Sequence, residues 1–435
     1  MYLLSVAAAA TIVVDQAGHG DTLTIEEALS LATDGDTIHI HAGVYAEKSM
    51  VAAVDNLTIR GAGPRHTILD MSSWSSGFGL QVSGNASISD MGFIGPKSGG
   101  TALYYVNRFG DDTDVGVIRN CRFEGFEVTI YPEGPFETLF VLDSVFAEPG
   151  WPVYTGFIGK SGPVQFENNV VIDGNSIHLE DDYPDYPGEH RVVGNTFVRG
   201  GCGAYRDGYY GETTLSFVGN VVVESSCGTA LYEDRGDTVA YNVYSGVEGE
   251  FIHQARPENT HSNIDADPQF CSWSSEMALS DMDLRLLEYS PAIDVLPADY
   301  SPSGSDNEGG VRPIDGDGDG VARADAGAYE FDIARICSPR PQDTGFVDSG
   351  QPIDTAIYDT QDSSPIDSPA DSLTESQSTA DSRSGDSGGK PPLPDPKCGC
   401  AAAGAWLVLP GLLLVLLGRR RRSLGPTVRA GGPVG

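Results

Sequence analysis

Gly194-Asn195-Thr196-Phe197 and Gly219-Asn220-Val221-Val222 are two copies of a motif that recurs through the middle of the chain. Each copy has a polar pair, often with Asn, and a bulky residue two positions after it. The second residue of each copy serves as an anchor, and the anchors are Cys121, Ser144, Asn169, Asn195, Asn220 and Asn242. Successive anchors are 23, 25, 26, 25 and 22 residues apart, and a weaker copy at Met91 precedes them by 30. A period in the twenties is typical of one coil of a solenoid.

The segments between the anchors favour short strands. They contain β-branched and aromatic runs separated by Gly, Asn and Asp, with no long helical periodicity. We therefore predict an all-β fold, a right-handed parallel β-helix in which each coil has two or three strands. Because stacked strands lie about 4.8 Å apart, equivalent residues should form ladders along the axis. We expect the anchor Asn residues to be structural, bonding to neighbouring coils and supporting a tight turn. A leucine-rich repeat has a similar period, but its Leu framework is absent.

Both ends of the repeat region resemble pectin-lyase-like right-handed β-helix proteins. Thr24-Ile25-Glu26-Glu27 predicts a capping box and a short helix to about Ala32, which would cover the open end of the solenoid. The run from Thr24 to Asp70 resembles the opening of that superfamily. Three later motifs resemble its closing sequences: Asp267-Pro268-Gln269-Phe270, Ser290-Pro291-Ala292-Ile293-Asp294 and Asp325-Ala326-Gly327-Ala328-Tyr329-Glu330. The resemblance covers about residues 11–336. It implies the fold, but the superfamily includes lyases, hydrolases, esterases, epimerases and non-enzymes, so no activity follows.

We predict that the β-helix spans residues 11–337 and that its C-terminal cap begins at about residue 265. The segments before and after it are predicted to direct export and to tether the β-helix. Residues 1–10 are typical of the end of a secretory signal peptide, although no Lys or Arg precedes the apolar run; a buried first strand is the alternative. Residues 338–397, rich in Asp, Ser, Thr and Pro, predict a disordered stalk. Residues 424–435 are expected to be a disordered end.

Residues 398–423 predict a membrane-sorting tail. Cys398 and Cys400 precede the apolar run 401–417, and four Arg residues follow from position 419. This order resembles the MYXO-CTERM class of tails, and the resemblance implies export, removal of the transmembrane helix and surface attachment by lipid or processing at Cys398 or Cys400. A plain C-terminal anchor is the alternative. We expect a monomer that is either secreted or held at the cell surface or outer membrane through this tail.

The charge balance restricts the partners. The chain has 62 Asp and Glu against 26 Lys and Arg, a net charge of −36. Such a surface repels phosphate backbones, so we expect no nucleic-acid partner. It suits an extracellular protein that binds Ca²⁺, neutral sugars, or acidic sugars through Ca²⁺ bridges.

Counting from the anchors places carboxylates on one face of the solenoid. Twelve positions past three anchors stand Glu133, Asp181 and Asp207, and thirteen past Asn220 stands Glu233. Nearby positions hold charged and aromatic residues, namely His178, Glu180, Asp182, Arg206, Arg235, Tyr131, Tyr154, Tyr205 and Tyr232. Carboxylates about one coil apart can hold Ca²⁺ or act as an acid/base pair, and Tyr rings can stack on sugars.

These residues predict a carbohydrate groove. The candidate catalytic residues are Asp181, Asp207, Arg206, Glu233 and Arg235, with the Arg side chains pairing with a uronate or taking a proton. The candidate substrate-binding residues are Glu133, His178, Tyr205 and Tyr232. The alternative is that the acids only solvate turns and that the Tyr residues form an internal ladder.

The expected function is therefore binding, and potentially cleavage, of extracellular polysaccharide by a surface-anchored β-helix. An enzyme of this kind would be a polysaccharide lyase or a glycoside hydrolase. However, the sequence lacks a Gly-x-Ser-x-Gly elbow and a His-Glu-x-x-His motif. Gly18-His19-Gly20 resembles a polygalacturonase fragment, but it precedes the first coil. A non-catalytic adhesin or envelope structural protein is the alternative.

A Ca²⁺ loop is predicted near the C-terminal end of the β-helix. Asp315-Gly316-Asp317-Gly318-Asp319-Gly320 matches the first half of such a loop. Position 326, where the loop would require Glu, is Ala, and Asp325 stands one residue early. The predicted ligands are Asp315, Asp317, Asp319 and Asp325, and the Ca²⁺ would stabilise the cap. A simple acidic turn is the alternative.

The cysteines predict one pairing. Five of the seven Cys residues precede the stalk, so at least one of them is unpaired within the chain. Cys202 and Cys227 both stand seven residues past their anchors, which places them on adjacent coils about 4.8 Å apart. This separation is within disulfide range. We predict a disulfide or a Cys ladder rather than a metal site.

Overall fold

The computed structural model describes residues 9–337, apart from 98, 107–113, 135, 156–161, 181–187, 208–211, 250, 255–258, 303 and 336. The predicted stalk and sorting tail, with Cys398 and Cys400, lie outside the described residues, as do residues 1–8 of the predicted signal. In the described ranges, no helix is long and apolar enough to cross a membrane.

The described chain is an all-β parallel solenoid, which confirms that part of the predicted fold. Each complete coil contributes one strand to each of three faces, which we call sheets 1, 2 and 3, and the first and last coils are incomplete. Sheet 1 has eleven strands, Thr11–Val14, Thr37–Ile40, Thr58–Arg60, Ser87–Ser89, Val115–Arg119, Thr138–Leu142, Val164–Glu167, Glu189–Val193, Thr214–Val218, Thr238–Ala240 and Asn259–His261. Sheet 2 has ten, Gly43–Tyr45, Thr67–Asp70, Gly92–Ile94, Arg122–Glu124, Val145–Ala147, Val170–Ile172, Thr196–Val198, Val221–Val223, Val243–Ser245 and Ile264–Asp265.

Sheet 3 has two sections, and within the described ranges a bridge between Tyr154 and His178 joins them. The first section contains Met50–Val51, Phe78–Ser83, Thr101–Val106, Val128–Glu133 and Trp151–Val153. The second contains Ile177–Glu180, Cys202–Asp207, Cys227–Leu231 and Phe251–Gln254. An antiparallel pair, Phe270–Ser272 with Asp283–Leu286, and three short 3₁₀ helices, Leu279–Asp281, Ala298–Tyr300 and Ile333–Arg335, follow the last coil.

The anchor Asn residues form a buried ladder at the corner between sheets 1 and 2, as predicted. Asn195 shows the pattern: its Oδ1 accepts the backbone N–H of Asn169 at 2.8 Å, and its Nδ2 donates to the Phe166 carbonyl at 2.8 Å and to Asn220 Oδ1 at 3.0 Å. The side chains of Asn169, Asn195, Asn220 and Asn242 are fully buried. These side chains link each coil to the next, because the backbone N–H at one corner donates to the anchor Asn of the following coil and would otherwise be unsatisfied.

The left-handed turn at this corner falls on the residue before each anchor. That residue has a φ between 49° and 64° in six successive coils, and the positions are Asn120, Asp143, Asn168, Gly194, Gly219 and Tyr241. Asn, Asp and Gly tolerate this conformation at little cost, which explains the polar pair of the repeat. The anchor itself supplies the hydrogen bonds.

A short helix packs on the first coil, as the capping box predicts. It spans Ile25–Leu31, and the Thr24 side chain accepts the Glu27 N–H at 3.2 Å. Glu47 adds a cap that the sequence did not reveal, because its two carboxylate oxygens accept the N–H groups of Ile25 and Glu26 at 2.8 and 2.7 Å. Ile25, Ala28 and Leu29 on one face are buried in the main core.

The segment after the last coil folds back along the outer side of sheet 2. Its apolar residues Ala292, Leu296, Ala326, Ala328 and Phe331 share a buried cluster with the sheet 2 valines. Strands here are buried on both faces, which explains uninterrupted apolar runs such as Val221–Val223.

Backbone and side-chain bonds hold this cap to the coils. Gly327 N–H donates to the Gly219 carbonyl at 2.8 Å, and the buried Arg312 donates to Asn168 Oδ1 at 2.6 Å and to Glu330 at 2.7 Å. The cap therefore covers the outer side of sheet 2 in its later coils.

Candidate carbohydrate-binding face

An aromatic column runs along the outer side of sheet 3. Strand register places one ring at the same position in five successive coils, in the order Tyr104, Tyr131, Tyr154, His178 and Tyr205. Successive ring centroids lie 5.3, 6.0, 4.6 and 4.9 Å apart. Phe78 and Tyr232 extend the column at its two ends, with ring centroids 5.9 Å from Tyr104 and 6.2 Å from Tyr205.

The Tyr rings of this column are partly open to solvent. Tyr104, Tyr131, Tyr154 and Tyr205 are each half-buried, whereas His178 is 7% exposed and packs against Tyr154, Tyr205 and Trp151. A different set of rings forms the internal ladder, since Phe93, Phe123, Phe146, Phe166, Phe197 and Phe217 stack inside the core. The internal Tyr ladder considered from the sequence is therefore wrong.

A line of carboxylate positions accompanies the column, but its register differs from the prediction. Asp207 pairs with Glu180 and not with Asp181, which lies outside the described residues. The coil anchored at Asn169 is one residue shorter at the corner between sheets 2 and 3, so counting from its anchor overshoots by one. As a result, Glu133, Glu180 and Asp207 each stand two residues after a ring of the column.

Of the carboxylates in this line, Glu133 is the one whose side-chain environment the structure describes. Its side chain is half-buried, and burial raises its pKa above the ordinary range. Desolvation disfavours the charged form, so a carboxyl here is better prepared than an exposed one to donate a hydrogen bond or a proton. The sequence predicted that Glu133 lies on the same face as the Tyr residues, and the structure adds that its side chain is half-buried.

Arg206 lies in a buried ion pair and not on the outer face, where the sequence-based assignment placed it. It points into the solenoid, is 2% exposed, and makes two 2.7 Å bonds to the fully buried carboxylate of Asp237. It also donates to the Thr213 and Glu233 carbonyls. Burial raises the pKa of Asp237, against the opposing effect of Arg206. Neighbouring strand residues face opposite sides, so the residue after the outward Tyr205 must point inward.

Glu233 lies at the surface beyond the end of the column, whereas the Arg235 side chain next to it is mostly buried. The Glu233 side chain is 57% exposed, and its carboxylate is 4.0 Å from Arg235. Tyr232 has its hydroxyl 3.4 Å from that of Tyr205. Of the predicted groove residues with described side chains, the structure gathers Glu133, His178, Tyr205 and Tyr232 along one face and excludes Arg206. Asp207 joins them by backbone register alone.

In the predicted Ca²⁺ loop at residues 315–320, which we call the acidic loop, the carboxylates that lie close to one another are not the predicted set of ligands. Asp315 and Asp317 lie with Asp294, and one carboxylate oxygen from each is within 4.8 Å of the others. Asp319 pairs with Arg323 at 3.1 Å. Asp325 is 1% exposed and accepts the backbone N–H of Asp294 at 2.8 Å, so its assignment as a loop ligand is wrong.

The predicted disulfide Cys202–Cys227 is present on adjacent strands, with Cα atoms 4.3 Å apart. A second disulfide, Cys271–Cys337, closes the cap and was not predicted, because its partners are 66 residues apart and outside the repeat. Cys121 is a buried free thiol, and burial raises its pKa to about 12.

Several residues of the site were missed by the sequence analysis. Tyr104, Phe78 and Trp151 belong to the same aromatic surface. A signal existed for Tyr104, since it lies 27 residues before Tyr131, close to one repeat, but the weak copy at Met91 made the register uncertain. Trp151 reaches the column from another strand position, which only the coordinates reveal.

Comparison with known proteins gives partial matches. The chain is 27% identical to Pectinesterase 5 from Arabidopsis thaliana over 192 residues, which is 38% of this chain and 31% of that protein. It is 30% identical to a pectinesterase/pectinesterase inhibitor from Brassica campestris over 139 residues, 28% of this chain and 24% of that protein. The chain thus spans about a third or less of these relatives.

Solved structures with similarity include pectate lyase Pel9A, with a TM-score of 0.36, 11% identity and coverage of 75% of this chain and 98% of that one. Pectin methylesterase from carrot has a TM-score of 0.28, 14% identity and coverage of 60% and 90%. No protein-family model matches the chain. The described strand order is that of a parallel β-helix, and the sequence similarity to pectinesterases covers only part of the chain.

Proposed function

We propose that this protein binds an extracellular polysaccharide lengthwise along the aromatic column of sheet 3. The observation that carries the proposal is a partly exposed Tyr ring at one register position in four of five successive coils, with the buried His178 at that position in the remaining coil. Partly exposed Tyr rings offer apolar contact area together with a hydroxyl for hydrogen bonding, and a sugar chain can use both. The coil spacing of about 4.8 Å is comparable to the length of one sugar unit, so successive rings can serve successive units.

The surroundings of the column support a sugar over other ligands. The chain carries 36 more negative than positive charges, which disfavours nucleic acid. Glu133 beside the column has a pKa raised by burial and can hydrogen-bond to hydroxyl groups. The pectinesterases similar to this chain supply a reason to try pectin-type polymers first.

Tyr131→Ala and Tyr154→Ala should each weaken polysaccharide binding about tenfold, equivalent to about 1.4 kcal/mol. Each substitution removes one stacking surface from the middle of the column. The double variant should show no binding in the same assay. Binding would first be located on a glycan array with the full chain and then measured by calorimetry. Tyr289→Ala is the matched control, because Tyr289 is 78% exposed and lies outside the column.

Unchanged affinity in the double variant, with an unchanged circular dichroism spectrum, would refute the column as the binding face. If a polymer binds, its cleavage should be assayed by release of unsaturated or reducing ends. Binding without turnover would place the protein with non-catalytic adhesins or envelope structural proteins. Glu133 and the backbone positions of Glu180 and Asp207 identify the strand ends at which an acid/base pair would stand.

We further propose that the β-helix is exported. Two disulfides support this, since such bonds persist in oxidising compartments and are rare in the cytosol. Surface attachment through the tail at 398–423 remains part of the proposal and rests on its sequence pattern.

We also propose that Ca²⁺ binds at Asp294, Asp315 and Asp317 and stabilises the cap. Three carboxylates within 4.8 Å offer the oxygen ligands that Ca²⁺ prefers. A chelator should lower the melting temperature of the wild-type protein by several degrees, and Asp317→Ala should abolish this response. Asp281→Ala, which removes an exposed acid away from the loop, is the control. Equal melting temperatures with Ca²⁺ and with chelator would refute the site.

A further inference from the structure

The outer surface of sheet 3 is recessed at one point of the aromatic column. His178 is 7% exposed, whereas Tyr154 and Tyr205, its neighbours in the coils before and after it, are partly exposed. Their ring centroids lie 4.6 and 4.9 Å from that of His178. The two Tyr rings therefore flank a recess with His178 at its floor, and two strand spacings separate them by about 9.5 Å.

Trp151 forms a third side of this recess. It stands three residues before Tyr154 and is partly exposed, and its ring centroid lies 5.8 Å from that of Tyr154 and 5.2 Å from that of His178. The equivalent position in the preceding coil holds Val128, so the second ring is a local feature. The Trp151 ring is inclined by 52° to that of Tyr154 and by 36° to that of His178. We call Trp151, Tyr154, His178 and Tyr205 the aromatic cage.

The width of the aromatic cage suits a cationic group. A cation midway between the Tyr154 and Tyr205 rings would lie about 4.8 Å from each centroid, inside the limit of about 6 Å for attraction to an aromatic ring. Trp gives the strongest attraction of this kind, and Trp151 adjoins the same space. An uncharged group of the same size gains only the apolar contact. The aromatic cage thus favours a positive charge.

The charge around the aromatic cage has the matching sign. The chain carries 62 Asp and Glu residues against 26 Lys and Arg residues. Glu180 and Asp207 stand two residues after His178 and Tyr205, and alternate strand residues share a face, so both positions belong to the face that carries the cage. Glu133, two coils before Glu180 in the same line, is half-buried. Carboxylates along this line attract a cationic ligand and repel a uronate.

We propose that the aromatic cage binds an ammonium group, so that the polysaccharide is a cationic glycan and not a polyuronate. This inference rests on the proposed function, because the cage is part of the column along which the polysaccharide lies. An amine on a sugar unit and a quaternary ammonium substituent both carry the chemistry that the cage recognises. Neighbouring sugar units lie over the other rings of the column.

Calorimetry of the full chain with oligosaccharides of equal length tests the proposal. A glucosamine oligomer with protonated amines should bind at least tenfold more tightly than its N-acetylated form, which has the same backbone without the charge. An oligogalacturonate should bind most weakly. An oligosaccharide substituted with phosphocholine distinguishes the two sources of the ammonium group. Tetramethylammonium chloride should displace the bound cationic ligand better than NaCl at the same concentration, since both salts screen charge equally and only the first offers an ammonium group.

Variants of the aromatic cage should change the preference for charge. Trp151→Ala and Tyr205→Ala should each weaken binding of the ammonium-bearing ligand at least tenfold and binding of the N-acetylated oligomer by a smaller factor. Trp151→Phe should restore part of the loss, because a ring remains. Tyr104→Ala is the matched control, since it removes a ring of the column three coils before His178. It should weaken both oligomers by the same factor and leave their ratio unchanged.

The results separate this inference from the proposed function. The inference is overturned if neither ammonium-bearing ligand binds more tightly than the N-acetylated oligomer, if the oligogalacturonate binds best, or if both cage variants keep the wild-type preference with an unchanged circular dichroism spectrum. If another polysaccharide then binds and the double variant Tyr131→Ala/Tyr154→Ala loses it, the proposed function stands alone. If that double variant binds the other polysaccharide as wild type does, both ideas are wrong.

Discussion

Asn195→Ala should lower the free energy of unfolding by about 3 kcal/mol or more, among the largest effects of any single substitution in this chain. The Asn195 side chain is fully buried and bonds to the coils on both sides. Alanine leaves the Asn169 N–H and the Phe166 carbonyl without these partners. Each buried unsatisfied group costs about 1–3 kcal/mol, and Asn220 also loses a bond. Urea denaturation followed by circular dichroism would measure the loss.

The matched control is Asn259→Ala. Asn259 is an exposed residue of the last sheet 1 strand, so its substitution should change stability by less than about 0.5 kcal/mol. A loss below 1 kcal/mol for Asn195→Ala would mean that the ladder contributes little, and that strand pairing and the core hold the coils together. Because solenoids can unfold in segments, the transition should be followed with two probes.

Arg206→Met should be comparably destabilising, by about 3–5 kcal/mol, since it leaves the Asp237 carboxylate buried without its ion-pair partner. Asp237→Leu should lower the free energy of unfolding by a similar amount, because it leaves the Arg206 guanidinium buried without its ion-pair partner. It also removes the acceptor of the Leu215 N–H. The double variant Arg206→Met/Asp237→Leu should be more stable than either single variant. Replacing both charges removes the desolvation penalty that either one alone would retain. Denaturant unfolding of wild type, the two single variants and the double variant would give the free energy of interaction between the two side chains.

Arg60→Met is the control for this pair. Arg60 is 64% exposed and bonds to Asp90 at 2.9 Å, and an exposed pair of this kind contributes less than about 1 kcal/mol. The same cycle separates a structural Arg206 from a catalytic one. If Arg206→Met left stability intact but abolished polysaccharide binding, the structural assignment would be wrong and the side chain would have to reach the surface.

The stacking register of the strands was predictable because it depends on a short motif that recurs in successive coils. Stacked coils require equivalent residues at equivalent corners, so the anchor spacing recorded the register from Cys121 to Asn242, and the disulfide Cys202–Cys227 followed from it. The capping box of the first helix is equally local. In each case the interaction partners are close in sequence or one repeat apart.

The candidate site was predicted only in part, because a one-residue change at a corner changes which residues align. The shorter coil at Asn169 moved the alignment of Asp207 from Asp181 to Glu180. The inward direction of Arg206 depends on where the strand begins, and its partner Asp237 is 31 residues away. Spacing counted from an anchor does not contain this information.

The sequence by itself determined the solenoid, its coil length and the structural role of its Asn ladder, because a period needs only comparison of the chain with itself. Only the tertiary structure decided that the cap lies along sheet 2 and that Asp294 joins Asp315 and Asp317. These contacts join segments that share no repeat. They arise from packing and chain reversal, which leave no periodic signal in the sequence.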